Sequence, residues 1–247
     1  MKKILVPVDL TEVSKHAIKY AFQLFPEDTS FTIMHAISST MTMAEPLMVP
    51  LPITRNNDIQ EALELKVQNI LDELSISRKF HIIIHYGAVV DEIVKELNQG
   101  DFDGVVMGKR DKYGLADKLF GTISLGVIKK SSEPVYLIPG NIEYKDFNKV
   151  VIGSDYHLES DRMLGALAAW NHDFKADLHF LHIKEYAQEN HNFVKNIVEE
   201  YFDKENVDFP FSIIEEKEND IARTLIEYGD EQAADLLIII SDKNSWL

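Results

Sequence analysis

The chain has 247 residues, of which 45% are hydrophobic and 27% charged, a composition that excludes a disordered or collagen-like protein and allows one large or two modest domains. It contains no cysteine, so disulfides, thiolate metal sites and cysteine nucleophiles are excluded. The formal net charge is −16, and residues 142–247 carry −13 of it, so neither nucleic acid nor an anionic membrane surface is expected as a partner.

The apolar runs of the chain bear on its location. None approaches the ~18 consecutive apolar residues that are needed to cross a bilayer. The five apolar residues after Lys3 are fewer than the core of a secretory signal requires. We therefore expect a cytoplasmic protein with no membrane partner.

The first half, residues 1–141, alternates short apolar runs with segments of helical period. The apolar runs predict strands buried on both faces, at residues 4–8, 31–37, 80–86, 105–107 and 135–138. The periodic segments predict helices at 14–25, 59–74, 90–99 and 115–130. Residues 38–58 hold Pro46, Pro50 and Pro52 without a steady period and are expected to form a linker.

The second half, residues 142–247, begins after Pro139-Gly140 and follows the same order. Its strands are predicted at 150–153, 178–183, 209–214 and 236–240, and its helices at 161–171, 187–203 and 220–229. After Gly108 the first half continues with one more helix and strand, whereas only seven residues follow Ile240. We therefore predict that the second domain lacks its last helix and strand. Its final strand would then leave backbone groups unpaired unless another segment covers them.

The two halves repeat one pattern. Lys3-Ile-Leu-Val-Pro-Val-Asp9 aligns with Lys149-Val-Val-Ile-Gly-Ser-Asp155 at an offset of 146 residues, and later apolar runs align at offsets of 147 and 132. Strands that alternate with helices predict a parallel sheet with right-handed crossovers and helices on both faces. The sequence thus predicts an α/β protein of two tandem, doubly wound, Rossmann-like domains.

The candidate site lies at the carboxyl ends of the strands in the first half, because open parallel sheets bind ligands there, where the strand order reverses. This rule selects Asp9, Ala36 and the segment from Gly108 onward. Gly121-Thr122 enters a helix whose backbone amides could face a phosphate. These glycines could equally serve only turns and helix packing.

Several short motifs together resemble the universal stress protein family. They are Val6-Pro-Val-Asp9, Met34-His-Ala36, Val106-Met-Gly108 and Gly121-Thr122. The first half resembles the family over essentially its whole length, and the second half resembles it from about residue 149 to 240. The resemblance implies a tandem protein with an adenine nucleotide site in its first domain. Pro7, Val8, Asp9 and Ala36 would border adenine and ribose, Met107 and Gly108 the ribose, and Gly121, Thr122 and Ile123 the phosphates.

The phosphate motif departs from the family pattern at one position. Nucleotide-binding members have Gly, two residues, Gly, nine residues, Gly, then Ser or Thr, and Asp111 stands here in place of the second glycine. A like charge ~4 Å from a phosphate costs about 4 kcal/mol at an effective dielectric constant of ~20. That energy corresponds to a factor of ~1000 in affinity, although Lys109 and Arg110 could offset part of it. In the second half Ile240 replaces the first glycine, so no nucleotide is expected there.

Other groups of residues and motifs in the sequence indicate neither a catalytic site nor a metal site. His81 and His85 share a strand face but lie ~13 Å apart, too far to chelate one ion. His35 and His182 are interpreted as structural, and Ser124 is expected on a helix surface. The sequence contains neither a P-loop nor a Gly-x-Ser-x-Gly elbow.

Two functional hypotheses follow from the resemblance. The first is a stress-response binding or interaction module without strong catalytic activity. The alternative is an ATP-binding regulatory module, with slow ATP hydrolysis, that uses the first domain only. The exposed last strand of the second domain further suggests a homodimer.

Overall fold

The computed structural model describes residues 1–38, 53–109, 121–154, 161–172, 174–184, 193–217 and 220–240. The chain divides into two compact units, residues 1–144 and 145–247. The elements of the first unit are β1 (Lys3–Val8), α1 (Glu12–Leu24), β2 (Ser30–Ile37), α2 (Ile53–Leu74), β3 (Lys79–Tyr86), α3 (Val89–Gln99), β4 (Gly104–Lys109), α4 (Thr122–Lys130) and β5 (Val135–Pro139). Those of the second unit are β6 (Lys149–Ser154), α5 (Asp161–Asn171), β7 (Asp177–Lys184), α6 (Phe193–Glu205), β8 (Phe211–Lys217), α7 (Ile221–Glu231) and β9 (Leu236–Ile240).

The first unit is a parallel sheet in the order β3-β2-β1-β4-β5, covered by helices on both faces. Alternate residues of β1 enter opposite layers, because side chains of a strand alternate between its faces. Ile4, Val6 and Val8 pack with α1 and α2, whereas Leu5 packs with α3 and α4. Each fully buried apolar side chain contributes about 1.5–3 kcal/mol, so the continuous apolar runs stabilise a sheet buried on both sides.

The second unit is a parallel sheet in the order β8-β7-β6-β9. Phe202 of α6 is fully buried and makes ring contacts with Phe180, Phe209 and Phe211. Within the described ranges nothing follows β9 that corresponds to α4 and β5. The predicted pair of tandem α/β domains with parallel sheets is confirmed.

The internal repeat is visible in the cores of the two units. Leu5, Met34 and Ile93 share one cluster of the first unit. Their counterparts at offsets of 146, 147 and 132 are Val151, Leu181 and Leu225, which share one cluster of the second unit. The offsets predicted from the sequence therefore relate residues that occupy the same place in each core.

Three local predictions need correction. Helix α2 begins at Ile53, inside the predicted linker. Helix α4 begins at Thr122, because Gly121 is its N-cap and has extended dihedral angles of φ −69° and ψ 160°, and the earlier part of the predicted helix, residues 115–120, lies outside the described residues. Ser124 is buried, not on the helix surface, because it lies on the inward face of this short helix beside Val127.

No helix in the described ranges is long and apolar enough to cross a membrane.

Candidate functional site

The carboxyl edge of the first sheet holds the predicted site residues. The strand order reverses between β1 and β4, which is the place where open parallel sheets form a ligand crevice. Pro7 and Val8 end β1, and Asp9 follows it. Ala36 lies near the end of β2, and Met107 and Gly108 lie near the end of β4. Adjacent parallel strands therefore bring these six residues to one edge.

The ladder between β1 and β4 is shorter than either strand. Its pairs are Ile4 with Gly104 and Leu5 with Val105. Beyond those pairs the two strands continue to Val8 and Lys109 without a further paired residue. Pro7 lies in this part of β1 and has no amide hydrogen to donate to a ladder.

Gly108 is required by the close approach of α1. A Cβ atom at this position would lie 2.8 Å from the carbonyl oxygen of Val13 and 2.8 Å from its Cγ1 atom. Both distances are shorter than van der Waals contact, and one of them involves backbone in the first turn of a helix. Gly108 therefore has a packing role that does not depend on any ligand.

Asp9 orders the start of α1. Its Oδ1 atom accepts hydrogen bonds from the Thr11 amide at 3.2 Å and from the Thr11 hydroxyl at 2.5 Å. Thr11 is in turn the N-cap of α1, and its hydroxyl oxygen accepts from the Ser14 amide. The carboxylate at the end of β1 is therefore used to hold the turn that borders the crevice.

His35 is fixed at the end of β2. Its Nδ1 atom lies 2.8 Å from the carbonyl oxygen of Val8, so this nitrogen donates, because a carbonyl oxygen only accepts. The ring thus ties the end of β2 to the end of β1. This contact supports the structural interpretation of His35.

The N-terminus of α4 is exposed. Gly121, Thr122 and Ile123 are exposed, and among the described residues no atom lies within 4 Å of a Cβ built at Gly121. Gly121 has no side chain that could accept a hydrogen bond, so the first amides of α4 donate none to a side-chain cap. Such amides, with the positive end of the helix dipole, can bind an anion.

Of the remaining predicted site residues, three are buried or half-buried and one lies outside the described residues. Val8 and Met107 are 7% and 6% exposed and belong to the two cores, so their side chains are packed inside the sheet layers. Ala36 is half-buried and packs against the same cluster as Met107. Asp111 lies outside the described residues, as does Asp155, the counterpart of Asp9 in the second unit.

Two residues at this edge were not predicted from the sequence. Leu10 adopts a left-handed conformation with φ 65° and is 40% exposed. Its carbonyl oxygen accepts a hydrogen bond of 3.0 Å from the Lys66 ammonium of α2. A left-handed non-glycine residue stores strain of about 1–3 kcal/mol, and such residues cluster at functional sites. Neither the residue type nor the spacing in the sequence indicates the left-handed conformation of Leu10, because leucine rarely adopts this conformation.

The corresponding edge of the second unit is closed. Strands β6 and β9 pair over five residues, from Val150 with Leu236 to Ser154 with Ile240. A Cβ at Gly153 would lie 2.5 Å from Leu225, so the side chain of this buried leucine covers the strand where Pro7 stands in the first unit. Ile240, the counterpart of Gly108, pairs with Ser154 of β6, whereas Gly108 is paired with no residue of β1.

Two further histidines, His85 and His81, contact neighbouring side chains of the first unit. His85 places its Nδ1 atom 3.1 Å from Glu92 and its Nε2 atom 3.5 Å from Glu96, both on α3. His81 lies beside the Thr32 hydroxyl at 3.4 Å. In the part of the chain that the structure describes, no group of three or more carboxylate and imidazole side chains could hold a metal ion.

Comparison with known proteins gives consistent matches. A model of the universal stress protein family matches residues 1–139. Universal stress protein MJ0577 of Methanocaldococcus jannaschii is 29% identical over 153 residues, covering 56% of this chain and 94% of that protein. Universal stress protein MJ0531 of the same organism is 30% identical over 141 residues, covering 56% and 81%. The crystal structure of a universal stress protein from Archaeoglobus fulgidus DSM 4304 superposes with a TM-score of 0.73 at 18% identity, covering 96% of this chain and 86% of that one, which shows a shared fold.

Proposed function

Because this chain belongs to the universal stress protein family, we propose that it acts in the cytoplasm as a stress-response binding or interaction module without strong catalytic activity. The observation that supports this proposal is the role of Asp9. Its Oδ1 atom accepts hydrogen bonds from the Thr11 amide and hydroxyl, so this carboxylate has a structural role in the turn before α1.

A second candidate is an ATP-binding regulatory module that uses the first unit only. Two features favour it: the short ladder between β1 and β4 at the point where the strand order reverses, and the exposed N-terminus of α4 at Gly121 and Thr122. Pro7, Asp9 and Ala36 would border adenine and ribose, and residues 121–123 would face the phosphates. The closed edge at Ser154 and Ile240 argues against a second nucleotide site.

The charge at Asp111 separates the two candidates. Its carboxylate would repel a triphosphate with about 4 kcal/mol at ~4 Å and an effective dielectric constant of ~20. The same site without this repulsion would bind about 1000-fold more tightly. We therefore rank the role as a binding or interaction module first and the role as an ATP-binding regulatory module second.

Calorimetry on protein freed of nucleotide tests the choice. Titration with Mg-ATP that is silent at millimolar nucleotide supports the first proposal and removes the second. Saturable binding in the micromolar range, with slow release of phosphate, reverses that order. A turnover typical of dedicated enzymes, 1–10³ per second, would contradict both.

A homodimer is part of the proposal for the second unit. The five residues of β9, Leu-Leu-Ile-Ile-Ile, are uncharged and half-buried, and no described strand pairs with the edge facing away from β6. A free apolar edge favours pairing with another chain. Light scattering across a wide concentration range should show a stable dimer, and a monomer throughout would remove this part of the proposal.

A further inference from the structure

Strand β3 forms the outer edge of the first sheet. It pairs with β2 over eight residues, and no strand in the described ranges pairs with its other side. Its sequence, Lys-Phe-His-Ile-Ile-Ile-His-Tyr, contains neither proline nor glycine. Native sheets usually protect a long edge by shortening it or by inserting proline or a bulge. β3 keeps instead a regular row of outward backbone donors and acceptors.

A groove runs between this edge and α2. Its volume is about 630 Å³, and both the strand and the helix line it. Phe80 and Ile82 of β3 form its apolar part, together with Leu65 of α2. Leu65 is 64% exposed, whereas Leu63, Val67 and Ile70 of the same helix are buried on another face. The groove therefore offers a place for an apolar side chain next to a free strand edge.

The rim of the groove is acidic. Glu61 and Glu64 of α2 line it, and no lysine or arginine is among the described lining residues. On the opposite face of the same edge, Glu92 and Glu96 of α3 flank His85, and Lys95 lies 3.7 Å from Glu92. An added strand would thus meet exposed carboxylates on the α2 side, whereas Glu92 and Glu96 on the α3 side are 19% and 22% exposed and face His85.

We propose that the free edge of β3 binds an extended segment of a partner protein that carries lysine or arginine at alternate positions. The segment would add a strand to the sheet through backbone hydrogen bonds. Glu61 and Glu64 would receive its basic side chains, and Leu65 would contact an apolar one.

A second copy of this chain is a poor occupant of the same edge. Pairing β3 with β3 would bring Glu61, Glu64 and their counterparts together. Charge complementarity therefore selects a basic partner.

This inference deepens the interaction role proposed above by giving it a surface and a partner class. It does not use the crevice at the ends of β1 and β4. Its test contains no nucleotide and measures no turnover, so its failure and a failure of the proposed function are distinguishable.

A phage-displayed library of random nonapeptides, selected against the full chain, tests the proposal. Enriched sequences are then synthesised with a fluorescent label, with and without N-methylation of alternate backbone amides. Binding is measured by fluorescence polarisation to the parent and to the E61K/E64K variant. The E12K/E143K variant is the matched control, because it changes the net charge equally at carboxylates whose side chains are 85% and 77% exposed and which lie outside the groove.

The expected result is a set of basic peptides whose affinity falls at least about tenfold in E61K/E64K and less than about twofold in the control. N-methylation should abolish binding, and bound peptide should slow hydrogen exchange of β3 amides. The proposal is overturned by the absence of enriched peptides, by enrichment of acidic or neutral ones, or by equal binding to both variants. A dimer formed through β3 would overturn it as well.

Discussion

Asp235 provides a sharp test of how the second unit is held together. Its carboxylate receives the Lys145 ammonium, the Asn148 amide at 2.8 Å and the Lys149 amide at 3.1 Å, and its side chain is only 7% exposed. Burial acts to raise the pKa of Asp235, but these hydrogen bonds outweigh burial and lower the pKa below its ordinary value. The charged form is therefore bound more tightly in the folded state than in the unfolded chain.

Replacing Asp235 with alanine removes all three contacts at once. Hydrogen bonds to a charged group contribute about 1.5–3 kcal/mol each, and water that enters the site offsets part of the loss. We expect Asp235→Ala to destabilise the second unit by about 2–4 kcal/mol. Its counterpart Asp103 is exposed and accepts from the Lys3 amide at 2.7 Å, so Asp103→Ala should cost about 1 kcal/mol in the first unit.

The pH dependence has a definite sign. Because the folded pKa of Asp235 is lowered, its contribution to stability is complete above the unfolded pKa of ~3.9 and is lost as pH falls toward the folded value. The difference in unfolding free energy between the parent and Asp235→Asn should therefore be largest near pH 7. It should shrink steadily below about pH 4.

Urea denaturation measures both effects. The two tryptophans, Trp170 and Trp246, belong to the second unit, so their fluorescence follows its unfolding while circular dichroism follows the whole chain. Fluorescence should show a lower midpoint for Asp235→Ala and an unchanged one for Asp103→Ala. Equal stability of Asp235→Ala and the parent at pH 7, or a difference from Asp235→Asn that persists undiminished at pH 3, would refute the reasoning.

Three further predictions concern the first unit. Gly108→Ala should destabilise it by about 1–3 kcal/mol in urea denaturation followed by circular dichroism, because the new methyl group meets the Val13 backbone. Gly121→Ala, where the methyl group meets no atom of the described residues, should cost less than about 1 kcal/mol in the same assay, and equal costs would show that Gly108 is not held by packing. Thr11→Ala should cost about 1 kcal/mol through loss of the α1 cap, whereas Thr11→Ser should keep most of that stability. A Thr11→Ser variant as unstable as Thr11→Ala would assign the effect to the methyl group instead.

The fold could be predicted because its signals are local and repeated. The apolar run from Ile4 to Val8 is continuous because both faces of β1 are buried, and its copy from residue 150 follows the same rule. The predicted helix is shorter than α2 because the residues after Ile53, Thr-Arg-Asn-Asn-Asp, are polar and carry no apolar period. Ser124 was misplaced because a small hydroxyl can be buried at a helix face without changing the hydrophobic pattern.

The candidate site was predictable only in part. Topology alone brings Asp9 and Gly108 to one edge, so their proximity follows from the alternation of strands and helices. The short ladder between β1 and β4, the close approach of Gly108 to Val13 and the left-handed Leu10 depend on tertiary packing. No short-range pattern encodes them. The roles assigned to the site residues remain predictions.

The most direct measurement is the affinity of Mg-ATP for the parent and for Asp111→Gly, determined side by side by calorimetry on nucleotide-free protein. If the crevice of the first unit is a nucleotide site weakened by one carboxylate, Asp111→Gly should bind with a dissociation constant at least tenfold lower, up to a limit of about 1000-fold set by ~4 kcal/mol of repulsion. Equal affinities for the two proteins, or tight binding by the parent, would contradict that account.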